Sequence, residues 1–172
     1  MQEQDRTQDI SFSEQEQIRR EKLNTLIQEG KSPYDVTKYD KSHNSDFIVE
    51  NYDKLENMDI SIAGRMTSRR VMGKASFAHL LDAEGTIQIY VKRDDVGEDV
   101  YEAFKLFDLG DVLGVRGKVF KTRTGEISVH AESVELLSKC LKPLPEKFHG
   151  LQDADLRYRQ RYLSWTAAAS LK

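Results

Sequence analysis

The sequence predicts a mainly β protein with flanking helices: a five-stranded barrel, ordered strand–strand–strand–helix–strand–strand, preceded by an N-terminal helix. Three observations predict it. Beyond residue 59 apolar side chains recur at every second position, as Ile60 and Ile62, then Ile87, Ile89 and Val91, then Ile127 and Val129. That is the period of a half-buried strand. One helical stretch, 99–107, interrupts this pattern between its third and fourth segments. Gly64, Gly114 and Gly117 fall inside the strand-like segments, where glycine marks a bulge or the sharp bend of a closing barrel. Over about 80 residues, this order is that of an OB-fold, a five-stranded Greek-key barrel that binds oligonucleotides or oligosaccharides.

The elements follow in order. Residues 1–12 are polar and read as a disordered tail. Ser13 with Glu16 forms a capping-box pattern, and Ile18, Leu23, Leu26 and Ile27 form an apolar stripe at helical spacing. Gly30 ends this helix and Pro33 bars its return. Its charged residues Arg19, Arg20, Glu21 and Lys22 read as a solvated face or as a surface that touches phosphate or a partner subunit. Residues 31–58 connect to the barrel through Tyr34, Tyr39, Phe47, Ile48 and Tyr52, with a short helix near 45–54. The barrel domain spans 59–140. Its strands are 60–70, 74–82, 86–91, 111–122 and 126–137. Asp82-Ala83-Glu84-Gly85 is a hairpin turn with Gly85 suited to positive φ. Asp99 is placed to cap the helix that shows Val100, Phe104 and Phe107 on one face. Thr124-Gly125 makes the last turn. Pro143-Leu144-Pro145 begins a linker, and 141–163 reads as that linker plus the start of a further domain, followed by a tail at 164–172.

Composition narrows the function. The 172 residues are 38% hydrophobic and 32% charged, with a formal net charge of −3. A protein that coats nucleic acid nonspecifically is usually basic, so this balance points to a selective binder. The charge is segregated: Arg65, Arg69, Arg70 and Lys74 form one basic cluster, Arg116, Lys118, Lys121 and Arg123 a second, while Asp94, Asp95, Glu98, Asp99 and Glu102 gather the acids. No apolar run is long enough for a membrane helix, and the N-terminus has no apolar secretory core. Cys140 is the single cysteine, which excludes an intrachain disulfide and a cysteine zinc cluster. A cytoplasmic setting fits this pattern.

The candidate site follows from alternation. If Ser76, Ala78 and Leu80 face inward, Phe77 faces out, on the side of Arg65, Arg69, Gln88, Tyr90, Glu126, Ser128 and His130. An aromatic ring among amides and arginines is a platform for an unpaired base. Gln88 carries both an acceptor and donors, so it matches the adjacent donor and acceptor of uracil. Arg65 and Arg69 donate to carbonyls or phosphates, and Glu126 accepts from a base N–H or a ribose hydroxyl. Phe77, Gln88, Arg69 and Glu126 together suit a splayed pyrimidine. No phosphate-binding loop and no catalytic constellation is visible. Asp94-Asp95 are paired only by adjacency, His43, His79, His130 and His149 lack metal-ligand spacing, and Cys140 reads as a packing residue.

The same residues carry a family resemblance. Ala63-Gly64-Arg65-Met66, SRRVMGKASFAHLLD from Ser68, GTIQIYVKRDD from Gly85, and the run from Phe107 through KPLPEKFHGLQD to RYRQRYL at 157–163 resemble the N-terminal anticodon-binding region of bacterial class II lysyl-tRNA synthetase. The resemblance covers roughly residues 14–163. It implies recognition of the anticodon of lysine tRNA, whose bases are mostly uridines. By position, Phe77 resembles the residue that stacks on the central base, Gln88 its edge reader assisted by Arg69, and Glu126 a contact to a neighbouring anticodon base. Arg65 occupies the place of the first-strand arginine.

The resemblance has a boundary. The family continues RYRQRYLDL into a catalytic domain, whereas Ser164 stands here in place of the aspartate, and the chain runs out through Trp165 to Lys172. The class II motifs that bind ATP and activate lysine are not in this sequence. The expectation is a truncated synthetase that recognises tRNA and does not aminoacylate alone, or else a fragment or frameshifted copy of a complete ligase, or an interaction remnant that pairs with an intact synthetase through the helix at 13–28 and the segment at 143–163. No cofactor is expected in this chain, since ATP and Mg2+ belong to the family's catalytic domain. The expected partner is tRNA, with a homodimer or a pairing with full-length synthetase as the protein contact, and no membrane.

Overall fold

The computed structural model describes residues 12–143. The tail expected at 1–12 lies outside them except for Phe12, as do His149, all but the first residues of the linker expected at 141–163, and the tail at 164–172. Five strands form a closed barrel: β1 (Asp59–Met72), β2 (Ala75–Leu81), β3 (Thr86–Lys92), β4 (Val112–Lys121) and β5 (Ile127–Ser138), in the spatial order β1-β2-β3-β5-β4. β1 is long enough to serve both sides of the closure. Its first half pairs with β4 and its second half with β2. Every pairing is antiparallel except β3 with β5. The expected strand order is borne out.

Period two explains the core. Burial alternates without a break along β2 and β3. Ile60, Ile62 and Met66 meet Ala78 and Leu80, Ile87, Ile89 and Val91, Leu113, Val115 and Val119, and Val129 and Ala131 inside the barrel. Each fully buried Val, Leu, Ile or Met side chain among them stabilises the fold by about 1.5–3 kcal/mol. Between β3 and β4 come α4 (Arg93–Val96) and α5 (Glu98–Leu106). α5 buries Tyr101 and Phe104. The Tyr101 hydroxyl donates to the Gly73 carbonyl at 2.9 Å and bonds the inward Ser76 hydroxyl at 2.9 Å, so the one polar residue on the inner face of β2 is satisfied.

Several local expectations need correction. α4 was not foreseen, and the N-cap of α5 is Gly97, at φ +90°, not Asp99. A left-handed residue must separate the two helices, and glycine alone adopts it without cost. Gly85 does not take a positive φ. Glycine fits there because a Cβ would lie 1.9 Å from the Asp46 carboxylate. Asp82 organises that turn by accepting from the Glu84 and Gly85 amides and from the amide and hydroxyl of Ser45, at 2.7–2.9 Å. These bonds seat α2 (Ser45–Glu50), which is followed by α3 (Tyr52–Leu55), where a short helix was expected. Burial works against the Asp82 charge, but the hydrogen bonds outweigh it and hold the carboxyl below its ordinary value.

The N-terminal helix docks by a face other than the one expected. α1 (Phe12–Gln28) starts one residue before Ser13 and closes at Gly30, φ +71°, where the Lys31 amide reaches back to the Leu26 carbonyl at 2.8 Å. Of the apolar stripe only Leu23 is buried, while Ile18 and Ile27 remain 41% and 48% exposed. The charged residues make the contact instead. Arg19, 9% exposed, donates to the carbonyls of Leu109 and Cys140 at 3.0 and 2.9 Å. Lys22 reaches Asp108 at 2.7 Å and the Leu106 carbonyl at 3.2 Å. The rim that α1 meets presents open carbonyls and a carboxylate, which need donors more than they need apolar cover.

Beneath that rim lies a buried ion network. Lys139 lies 2.7 Å from the fully buried Asp111 and also bonds Asp108. Asp111 further accepts from the amides of Asp108 and Cys140, both at 2.8 Å. The end of β5, the approach to β4 and α1 are thereby tied together. Among the described residues no helix is long and apolar enough to cross a membrane.

Candidate nucleic-acid interface

The outer surface of the barrel is read from strand register, because residues directly paired across strands point to the same side. One row runs Arg70, Phe77, Tyr90, His130, Lys118 across β1, β2, β3, β5 and β4. The next runs Ser68, His79, Gln88, Ser128, Phe120. Phe77 therefore faces outward, as alternation requires, with its inward neighbours Ser76 and Ala78 buried.

Phe77 is not an isolated ring. Its centroid is 5.0 Å from Tyr90, and Tyr90 is 5.2 Å from His130 and 6.1 Å from Phe120. Four rings from four strands make a continuous, half-exposed aromatic surface. The sequence reading placed Tyr90 and His130 on this face and missed Phe120. Its outward position at the end of β4 was readable from alternation with Val119. Beside the rings a cleft of about 460 Å³ is lined by Asp94, Asp95, Lys118, His130 and Glu132. Asp95 holds His130 through Nε2 at 2.7 Å.

Polar readers flank the platform. Gln88 donates from Nε2 to Glu126 at 2.9 Å and accepts at Oε1 from the Ser128 hydroxyl at 2.9 Å. The second Glu126 oxygen meets His79 Nε2 at 3.1 Å, and His79 Nδ1 meets the Ser68 hydroxyl at 2.9 Å. Gln88 and Glu126 are thus bonded to each other on the outer side that also carries Phe77. Ser128, although buried, is on the reader side through its hydroxyl.

The two predicted arginines are placed differently. Strict alternation put Arg65 and Arg69 on one face. The β1–β2 register slips between Met66 and Ser68, a bulge that adds one residue and inverts the alternation beyond it. Arg69 is consequently paired with the inward Ala78, and its Nη1 bonds the carbonyls of Phe104 and Phe107. Arg70 takes the outward place across from Phe77. It is exposed and has no hydrogen-bond or ion-pair partner among the described residues. Arg65 lies on the outer side but farther along β1, across from Leu81, with Nη1 on the Gly110 carbonyl at 2.6 Å. The cation beside the ring is therefore Arg70. Nothing in one strand's sequence marks the bulge, because a bulge is a property of two paired strands.

Comparison with known proteins agrees with the barrel fold. Residues 60–137 match the tRNA anti-codon family, an OB-fold nucleic acid binding domain. The chain is 54% identical over 145 residues to a lysine–tRNA ligase of Clostridium acetobutylicum, covering 84% of this chain and 28% of that protein. It is 54% identical over 146 residues to the one of Pelotomaculum thermopropionicum, covering 85% and 29%. It is 49% identical over 159 residues to the one of Bacillus subtilis, covering 88% and 32%. The chain spans about 30% of the length of these relatives, and the resemblance read from its motifs is borne out.

Proposed function

We propose that this chain, an OB-fold domain similar to part of the lysine–tRNA ligases, recognises the anticodon of a lysine tRNA. The observation that carries the reading is the placement of Phe77: an outward ring, with the Gln88–Glu126 pair on the same side and the exposed Arg70 across the ladder, on a barrel of the nucleic-acid-binding type. The central anticodon base stacks on Phe77 and presents its edge to Gln88. Arg70 meets the backbone phosphate, and Glu126 accepts from a neighbouring nucleotide. Stacking on such a ring contributes about 1–3 kcal/mol and tolerates any base, so selectivity rests on the polar readers. We assign the domain recognition and not ligation.

The test is a titration of lysine tRNA against the same tRNA with its central anticodon base replaced. Tighter binding of the unaltered tRNA supports the reading. Equal affinity for the two would sink it.

A further inference from the structure

We propose that His79 and Glu126 fix the sense of the Gln88 amide, and that this sense selects uracil over cytosine on the Phe77 platform; the proposal rests on the anticodon reading above. The structural basis is an unbroken chain of hydrogen bonds, Ser68–His79–Glu126–Gln88–Ser128, running across β1, β2, β3 and the start of β5.

Each link has a direction. A carboxylate accepts hydrogen bonds and donates none. Gln88 must therefore turn Nε2 toward Glu126, which leaves Oε1 to accept from the Ser128 hydroxyl. The other Glu126 oxygen accepts from His79 Nε2–H. His79 is then the tautomer whose Nδ1 accepts from the Ser68 hydroxyl. Reversing the amide would set its carbonyl against the carboxylate, acceptor to acceptor, and leave a polar pair unmade. Glu126 can hold the amide only while Glu126 is itself held, and that is the task of His79.

The consequence for recognition is geometric. After these bonds Gln88 keeps one N–H and one carbonyl lone pair for a ligand. Uracil presents N3–H beside the O4 acceptor. Cytosine has the same ring outline but presents the N3 acceptor beside the N4 amino donor. For a pyrimidine stacked in one pose, the amide sense that pairs with uracil meets cytosine donor to donor and acceptor to acceptor. The reversed sense pairs with cytosine. A carboxylate has about four acceptor sites, so holding Gln88 and His79 leaves Glu126 able to accept from a neighbouring nucleotide. His79 is thus a positioning residue that acts through Glu126.

The test uses the full chain and two RNA stem-loops that differ only at the central loop base, UUU and UCU. The unaltered protein is expected to favour UUU by roughly ten- to a hundred-fold, the discrimination of one bidentate base contact. His79→Ala and His79→Asn, which lose the donor at the Nε2 position, should bring that ratio to within about three-fold, chiefly by improving relative binding of UCU once the amide can turn. His79→Gln places an amide N–H where Nε2 stood and should restore the ratio, a rescue that a general loss of packing would not show. Phe77→Ala should weaken both RNAs and leave the ratio intact. An unchanged ratio in His79→Ala, or a His79→Gln protein no better than His79→Ala, overturns the proposal. If the unaltered protein binds neither RNA, the anticodon reading falls and this proposal with it. Binding of both RNAs equally by the unaltered protein sinks the anticodon reading and this proposal together, and leaves only a nonselective stacking platform.

Discussion

The Arg69 guanidinium donates to the carbonyl oxygens of Phe104 and Phe107, at 3.0 and 2.5 Å, and so closes the C-terminal end of α5. Adjacent in sequence, Arg70 stands across the ladder from Phe77. The two arginines should separate cleanly. Arg69→Ala removes charge-assisted bonds to helix-end carbonyls and should cost roughly 1.5–3 kcal/mol of stability, read as a lower urea midpoint. Arg70→Ala should leave the midpoint within about 0.5 kcal/mol. It should weaken RNA binding and reduce the slope of log K against log salt by about one, the signature of one lost phosphate contact.

Phe77→Ala tests the platform itself. Because Phe77 lies outside the barrel, thermal unfolding should change little. Affinity for lysine tRNA should fall by about 1–3 kcal/mol, measured by titration at fixed salt. A loss seen only in the association rate and in salt dependence would point to steering and against stacking.

What alternation made legible, and what it did not, divides along one physical line. The inward and outward sides of β2 and β3 were readable because both strands keep register from end to end. Phe77 and Gln88 followed from that. The places of Arg69 and Arg70 were not readable, since the slip between Met66 and Ser68 exists only in the pairing with β2. The docking of α1 was misread for a similar reason. Its apolar residues suggested the buried face, but the partner surface, the carbonyls of Leu106, Leu109 and Cys140, is assembled from two distant segments. The resemblance supplied lysine tRNA as the particular partner, where alternation offered only a platform for an unpaired base and composition, with its net negative charge, argued only against nonspecific binding.

Lys139→Ala should be among the most damaging single changes. It leaves Asp111, fully buried, without its cation, and stripping one partner from a buried pair costs about 3–5 kcal/mol. Denaturant unfolding measures it. Loss of that network should also loosen α1, seen as faster amide exchange over residues 14–28.

Acid should act through the same network. Burial disfavours the Asp108 charge, yet Lys139 and Lys22 hold its carboxyl below the ordinary value, and Asp82 is held low by its own hydrogen bonds. A carboxyl with a depressed folded pKa contributes stability that is fully present above the unfolded pKa and is lost as pH falls through the folded one. The urea midpoint should therefore drop as pH descends through the carboxylate range. Asp108→Asn should be less stable at neutral pH and show a shallower acid decline.

Gly117→Ala should harm both fold and interface. A Cβ there would sit 1.9 Å from the His130 carbonyl oxygen, at the point where the β4–β5 register slips. The backbone would have to part, at a cost of about 1–3 kcal/mol or more. The displaced strand carries His130 away from Tyr90, so RNA affinity should fall along with the urea midpoint.

The parallel pairing of β3 with β5 has a consequence in time as well as in space. Gln88 meets Ser128 across a separation of 40 residues, and Tyr90 meets His130 in the same parallel ladder. Pairings between such distant segments are slow to form. A chain that has produced β3 but not β5 owns the platform ring and Gln88 but lacks Glu126 and Ser128, the two groups that orient the Gln88 amide. The contacts that orient the reader therefore depend on the long-range β3–β5 pairing and not on β3 alone. A ligand that favours the closed form stabilises it by mass action, so the RNA that the surface reads also becomes a guardian of the fold that reads it.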